Sequence, residues 1–373
     1  MRRLPLSLVV LAWVAACRSG DDPPPVRIGV AGPFSQPRGV SMQQAARLAQ
    51  REINERGGIG GRPLELVFVD DSARDSVAVR VAQTLLADPS VAAVVGHLTS
   101  AATIAAIRVY ESGSDPVVLV SPSASSPDLS GISPWFFRVC PSDLSHGPRL
   151  ARYARQDLAA RTAGMTYIND DYGRGVRRMF TAEFEKLGGT VLEEDPALPS
   201  TPSVEPYLSR MRRHGTVGVL VLATEARMGE LALREMRALG IAWPVIGGDA
   251  LVGIERMGPA AEGVRISTAY LPDRPGARNE VFVDAYARAY PGQVPDHRGA
   301  GAYDVIYLLA RAIGEVGRDR RAVRDYLASV GQRRPAFEGV TGTIAFDERG
   351  DVPGRAALIG VVRNGRLVTE SSQ

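Results

Sequence analysis

The feature that most constrains this 373-residue chain is an alternation that runs through it twice. Short apolar runs are separated by longer stretches of helical periodicity. VRIGVA (26–31), LELVFVD (64–70), VAAVVG (91–96) and PVVLVS (116–121) read as strands. Between them Ser41 to Arg56, Asp75 to Ala87 and Ser100 to Tyr110 read as helices, the first stopped by Gly57-Gly58 and the second by Pro89. The strand runs are apolar almost without interruption, which suits a parallel sheet buried on both faces. Strand and helix in turn give βαβ units and a doubly wound domain.

The pattern then repeats. A helix from Ser142 to Arg161 leads into strands at MTYIND (165–170), TVLEED (190–195), VGVLVLA (217–223) and WPVIGGD (243–249). Helices at 173–187, 206–213 and 225–239 lie between these strands. Three more helices follow, at 278–290, 300–316 and 319–330. The last strands are GTIAFD (342–347) and ALIGVVRNG (357–365), with a tight Asn364-Gly365 turn. Two similar α/β blocks followed by mixed elements imply two lobes, with the chain crossing between them more than once.

Composition sets outer bounds. Apolar residues make up 45% and charged residues 23%, enough for a large core. The net charge of +3 comes from 44 basic and 41 acidic residues spread along the whole chain. No basic tract is interleaved with aromatics, so nothing supports nucleic-acid binding.

The N-terminus stands apart. Arg2 and Arg3 precede an apolar stretch from Leu4 to Val14, too short to span a bilayer and suited to a signal peptide. Val14-Ala15-Ala16-Cys17 has the form of a bacterial lipobox. In that reading residues 1–17 are a lipoprotein leader, Cys17 is lipidated, and 18–25 (RSGDDPPP) are a tether. The alternative is an ordinary signal peptide with an incidental Cys17. Cys140 is then left alone, so there is no disulfide framework, and it reads as a small core residue.

In open α/β sheets, ligands bind beyond the carboxyl ends of the strands. After the third strand, Ser100 stands where a helix N-cap belongs. Its hydroxyl and the free N–H groups of Ala101 and Ala102 offer a carboxylate site; a plain N-cap is the alternative. After the fourth strand comes the Ser-rich loop Pro122 to Pro127, either a polar ligand loop or a solvated turn. In the second block the strand ends carry Asp171-Tyr172-Gly173, Thr224-Glu225 and Gly248-Asp249. An anion-binding half on one block faces an aromatic and an acid on the other. That suits a ligand with a carboxylate and an ammonium.

Enzyme signals are weak. GGIGGRP (57–63) follows a helix, so it is not a dinucleotide fingerprint, and there is no GxSxG elbow, P-loop or HExxH. The four His residues (97, 146, 214, 297) lack metal-ligand spacing, and no cofactor is implied.

INERGGIGGRPLELVFVDD, VVGHLTSAAT, SPSASSPDL, NDDYGRG, GELALREMRALGI and YDVIYLLARAI, taken together, resemble type I periplasmic solute-binding proteins, in the branched-chain amino-acid and amide branch of ABC importers. The likeness runs from about Val26 to about Val368. It implies two doubly wound, Rossmann-like lobes joined by three crossovers. Lobe 1 would be 26–140 plus 270–350, and lobe 2 would be 141–269 plus 351–373. It also implies a ligand carboxylate on Ser100, carboxylate and ammonium contacts from Ser123, Ala124 and Ser125, a cover from Tyr172, and an ammonium contact from Asp249 where Glu is more usual. Thr224 stands where an aromatic is frequent. Arg38, and the His297-Arg298 pair, replace small, apolar or aromatic neighbours of the ligand side chain; if both Arg face the cleft, an acidic ligand side chain is expected. The functional expectation is a non-enzymatic, lipid-anchored extracytoplasmic binding protein. It would capture an amino acid or related compound by lobe closure and be recognised by a membrane ABC permease. The alternative is a ligand-sensing or envelope-interacting lipoprotein without a transport role.

Overall fold

The structure is a computed structural model that describes residues 24–370. The leader, Cys17 and nearly all of the tether lie outside the described residues. Among those described, no helix is long and apolar enough to cross a membrane.

The first block contains β1 (Val26–Gly32), α1 (Pro37–Glu55), β2 (Leu64–Asp70), α2 (Asp75–Ala87), β3 (Val91–Val95), α3 (Ser100–Tyr110), β4 (Leu119–Ser121) and β5 (Phe136–Arg138). Its sheet is five-stranded, in the order β2-β1-β3-β4-β5, and every pairing is parallel. The second block contains α4 (Asp143–Arg152), β6 (Thr162–Ile168), α5 (Asp171–Lys186), β7 (Thr190–Ala197), α6 (Glu205–Arg213), β8 (Val219–Ala223), α7 (Ala226–Ala238), β9 (Val245–Gly247) and β10 (Arg265–Thr268). Then come α8 (Ala277–Ala289), α9 (His297–Val316), α10 (Arg320–Ser329), the hairpin β11 (Phe337–Gly339) and β12 (Gly342–Ile344), and the terminal hairpin β13 (Leu358–Arg363) and β14 (Arg366–Thr369).

The late elements divide between the two sheets. Helices α8, α9 and α10 bury Phe282, Tyr286, Ile306, Leu309 and Leu327 in one core with Ile28, Val30, Val95 and Val120 of the first sheet. Strand β13 instead pairs antiparallel with β10, giving the second sheet the order β14-β13-β10-β9-β8-β6-β7. The chain therefore passes between sheets three times: after β5, after β10 and after β12. Each sheet has apolar cores on both faces, which is why its strands carry few polar positions.

Two arginines, one fully buried and one half-buried, tie the crossing segments together. Arg138, fully buried, pairs with Asp351 at 2.6 Å and donates to the carbonyl of Ser126 and the hydroxyl of Ser130. Arg355 donates to the carbonyls of Val139 and Thr341. Guanidinium groups with several acceptors each suit places where three chain segments run side by side.

The structure departs from the sequence reading where tertiary pairing decides. Helix α1 starts at Pro37 rather than Ser41, because proline is favoured in a first turn. Only the last residues of PVVLVS pair as β4. The short strands β5, β10, β11 and β14 carry too little pattern of their own to be read. Cys140 is a buried core thiol, pushed up to about 12 by burial.

Candidate functional site

One face of the site is built from the turn after β3. Gly96 has φ 140°, and any side chain there would strike the carbonyl of Ala31 on β1. His97 is fully buried, with Nδ1 2.6 Å from Asp71 and Nε2 3.2 Å from the Tyr110 hydroxyl. It pins the turn to the end of β2 and to α3, a structural task that leaves nothing for a ligand. Ser100 is not the N-cap. Thr99 holds that position with extended backbone, and Ser100 is the first residue of α3. The Ser100 hydroxyl accepts the N–H of Ser126 at 3.1 Å and so joins the turn to the serine-rich loop. The first N–H groups of α3 have no intrahelical partner, and the residues that carry them face the space between the sheets.

The serine-rich loop is held by Ser121. Its hydroxyl donates to the carbonyl of His97 at 2.8 Å and accepts from the N–H of Ala124 at 2.9 Å. Ser123 and Ser125 line the resulting cavity, and the Ser125 hydroxyl has no partner among the described residues. Ala124 does not line it. Its side chain packs in the first lobe's core, and its carbonyl accepts from Arg138 at 3.3 Å.

The opposite face comes from the second sheet. Asp170 caps α5 by accepting the N–H of Gly173 at 2.8 Å, so the helix starts at Asp171 and Tyr172 sits in its first turn rather than in a loop. The Tyr172 hydroxyl accepts the N–H of Ala250 at 3.2 Å and lies against Gly248, where a side chain would collide with it. Asp249 is 3% exposed and lines the cavity, and its Oδ2 has no hydrogen-bond partner. His297 Nε2 lies 3.7 Å from that oxygen, too far for a hydrogen bond.

Behind Asp249 is a buried polar cluster. Asp143 is fully buried with neither carboxylate oxygen hydrogen-bonded, and His146 uses only Nδ1, toward the Ser267 hydroxyl at 2.8 Å. Burial, reinforced by the charge of Asp249, pushes the Asp143 carboxyl well above its usual range. Burial also holds the His146 imidazole low, and burial with the Arg298 charge brings His297 down to about 4. The region around Asp249 thus keeps its imidazoles neutral at ordinary pH. Thr224 is buried with its hydroxyl unpartnered, but it is not on the cavity wall; its neighbour Glu225 is.

Arg38 and Arg298 both line the cavity, and both are engaged by the protein. Arg38 pairs across the cleft with Glu225 at 3.0 Å and donates to the Gln36 side chain at 2.8 Å. Arg298, at the start of α9, pairs with Asp296 at 2.9 Å. It also donates to the carbonyls of Asp249, Ala250 and Val252 at 3.3 to 3.4 Å. Both arginines thus face the cavity as the resemblance implies, and each already has a protein carboxylate as its partner. Sequence reasoning set Glu225 at a strand end but gave no binding role to it, nor to Asp170, Asp143 or His146. Their signal was position alone, a polar residue just beyond a strand or in the first turn of a helix.

Eight sequence-selected residues (Ser100, Ala101, Ser123, Ser125, Tyr172, Asp249, Arg38 and Arg298) meet around a single cavity of about 110 Å³ between the two sheets. One side presents hydroxyls and free amides, the other a buried carboxylate. Among the described residues there is no group of three or more metal-ligating side chains. Two α/β lobes, three crossings and a polar cavity at the strand ends define a two-lobed solute-binding protein.

The family profile of the periplasmic binding proteins matches residues 25–366, and the chain belongs to that family, in its branched-chain amino-acid branch. It is a binding protein rather than an enzyme. It is similar to the leucine-, isoleucine-, valine-, threonine-, and alanine-binding protein of Pseudomonas aeruginosa, at 26% identity over 94% of this chain and 93% of that one. It is also similar to the Leu/Ile/Val-binding protein of Escherichia coli, at 24% identity over 88% of each. Among solved structures, a Desulfitobacterium hafniense ABC transporter substrate-binding protein in complex with Leu shares 31% identity, covering 92% of this chain and 98% of that one with a TM-score of 0.78. A Thermotoga maritima leucine binding protein shares 25%, covering 93% and 98% with a TM-score of 0.84.

Proposed function

We propose that this protein is the substrate-binding component of an ABC importer, anchored outside the cytoplasm through a lipid on Cys17, and that it captures an amino acid between its lobes. The observation that carries the reading is the polarity of the cavity. The α3 N-terminus with Ser100 and Ser123 suits a carboxylate, and Asp249, with its free Oδ2, suits an ammonium. Relatives named for amino-acid ligands support the same class. The lobes are 26–140 plus 270–350 and 141–269 plus 351–373. A ligand that touches both favours the closed arrangement, which the permease then recognises.

The test is a thermal-shift and calorimetric screen of residues 18–373 against amino acids, amides, dicarboxylates and aromatic acids. A ligand at about 100 times its Kd adds about 2.7 kcal/mol of stability, an easily seen shift. A shift confined to amino acids supports the reading. A shift with aromatic acids alone, or with none of the compounds from a folded sample, sinks it and leaves the non-transport lipoprotein.

A further inference from the structure

Resting on the amino-acid reading above, the structure also bears on which amino acids fit. The cavity is about 110 Å³. For scale, a dry protein cavity of roughly 150 Å³ takes up benzene. A zwitterion seated between Ser100 and Asp249 leaves little of that space for a side chain.

The remainder is bounded by the apolar side chains of Ala73, Leu98, Ile168 and Pro199 and by an ion pair. Arg38, near the start of α1, meets Glu225, just beyond β8, at 3.0 Å. Both belong to the cavity wall, with 28% and 22% of their side chains exposed. The pair is braced from behind: Gln36 accepts from Arg38 Nε at 2.8 Å and donates to the carbonyl of Ser72 at 2.7 Å. Asp170 adds a second carboxylate to the same wall.

We propose that the Arg38–Glu225 pair is the specificity wall of the site and restricts the ligand to amino acids with very small side chains, of the glycine, alanine and serine class. An isobutyl group there would strip water from the ion pair and offer it no hydrogen bond in return. An acidic side chain attracted to Arg38 meets Glu225 and Asp170. A basic one attracted to those carboxylates meets Arg38. Arg298 relieves neither case, because its two terminal nitrogens are held by Asp296 and the carbonyls that follow β9. A hydrogen atom, a methyl group or a short hydroxymethyl group avoids each of these costs.

The test is isothermal titration with glycine, alanine, serine, leucine and glutamate, on the unaltered protein and on the double variant R38A/E225A. Removing both partners avoids leaving one charge alone in the cleft. Alanine or serine is expected to bind at least tenfold more tightly than leucine or glutamate. In the double variant the ratio of leucine to alanine affinity is expected to rise about tenfold. The near-isosteric pair R38M/E225Q, checked by thermal unfolding, replaces the first variant if that one does not fold. Leucine or glutamate binding the unaltered protein best would overturn the proposal while leaving the amino-acid reading intact. So would a leucine-to-alanine ratio indifferent to the double variant. If no amino acid binds, both fall together.

Discussion

The two sides of the cavity hold opposite charge by different physics. The first-lobe side has no titratable group committed to a ligand. It offers hydroxyls from Ser100, Ser123 and Ser125 and the free amides of α3, small dipoles of which the Ser100 hydroxyl is fixed by the Ser126 N–H. The second-lobe side carries Asp249, Asp170 and Glu225 on the cavity wall, with Asp249 Oδ2 free of any hydrogen-bond partner among the described residues and Glu225 paired to Arg38. Asp143 and His146 are buried behind Asp249, and His297, from the first-lobe helix α9, approaches the same carboxylate. Distributed dipoles lose little when one is removed. A desolvated carboxylate has no ready substitute when its neighbours on the wall are already engaged, Glu225 by Arg38 and Asp170 by the N–H of Gly173. The same fold thus builds one tolerant wall and one brittle wall.

The largest expected effect tests the brittle wall. Asp249→Ala should weaken amino-acid binding by about 2–5 kcal/mol, because the ligand ammonium would then be buried without a counter-charge. Isothermal titration reads this directly. A loss under about 1 kcal/mol would mean that the ammonium lies elsewhere and that the two walls are not opposed in the way described.

Much of this contrast was legible in the sequence, and the reasons it was not wholly so are particular. Strand ends are marked by the abrupt change from apolar runs to polar residues, so Ser100, Ser123, Tyr172 and Asp249 could be placed by position alone. The βαβ succession then brings those ends together. Pairing across the cleft leaves no such mark. That Arg38 would meet Glu225, and that Arg298 would spend its donors on the carbonyls after β9, depends on how the lobes face each other. Asp143 looked like an ordinary first-turn acid next to Ser142, whose hydroxyl does accept a helix N–H. Nothing local shows that α5 packs over it, bringing Gly175 against its carboxyl. Ala124 was selected by the family resemblance and Thr224 by its place just beyond a strand, and both are buried away from the cavity wall.

The next effect separates the walls by pH. His297 is held near 4 in the folded protein against an ordinary value of 6.5, so both states are neutral above 6.5. As pH falls below 6.5 the unfolded chain gains the proton first, and stability is lost down to about 4; His146 acts in the same sense. Asp143 acts in the opposite sense. Its raised pKa means that stability present below 3.8 is lost as pH rises. Asp143→Asn removes that opposing contribution. In this variant the unfolding free energy should drop by about 1 kcal/mol or more between pH 7 and pH 5.5. Denaturant unfolding at the two pH values checks it, and adding Ser100→Ala should leave the slope unchanged. A flat profile in the Asn variant would remove titration from the second-lobe side.

A smaller effect tests the tolerant wall. Ser100→Ala deletes the acceptor for the Ser126 N–H and one hydroxyl facing the cavity, while the α3 amides remain. Affinity should fall by about 1 kcal/mol, roughly fivefold. A loss as large as that from Asp249→Ala would show that the first-lobe wall depends on one group after all.

The smallest expected effect concerns a residue that sequence position selected and the folded chain withdrew. Thr224 is fully buried, its hydroxyl has no partner, and its side chain does not reach the cavity wall. Valine has nearly the same shape without the polar atom, and replacing an unpaired buried hydroxyl by an apolar group of that shape is close to neutral or stabilising. Thr224→Val should therefore change ligand affinity by less than about 0.5 kcal/mol and leave the unfolding temperature equal or slightly higher. Titration and thermal unfolding of the one variant decide it. A clear loss of affinity would mean that closure on ligand brings the Thr224 hydroxyl into the site, so that its missing partner is the ligand itself, and the second-lobe wall would then have a neutral donor beside its carboxylate.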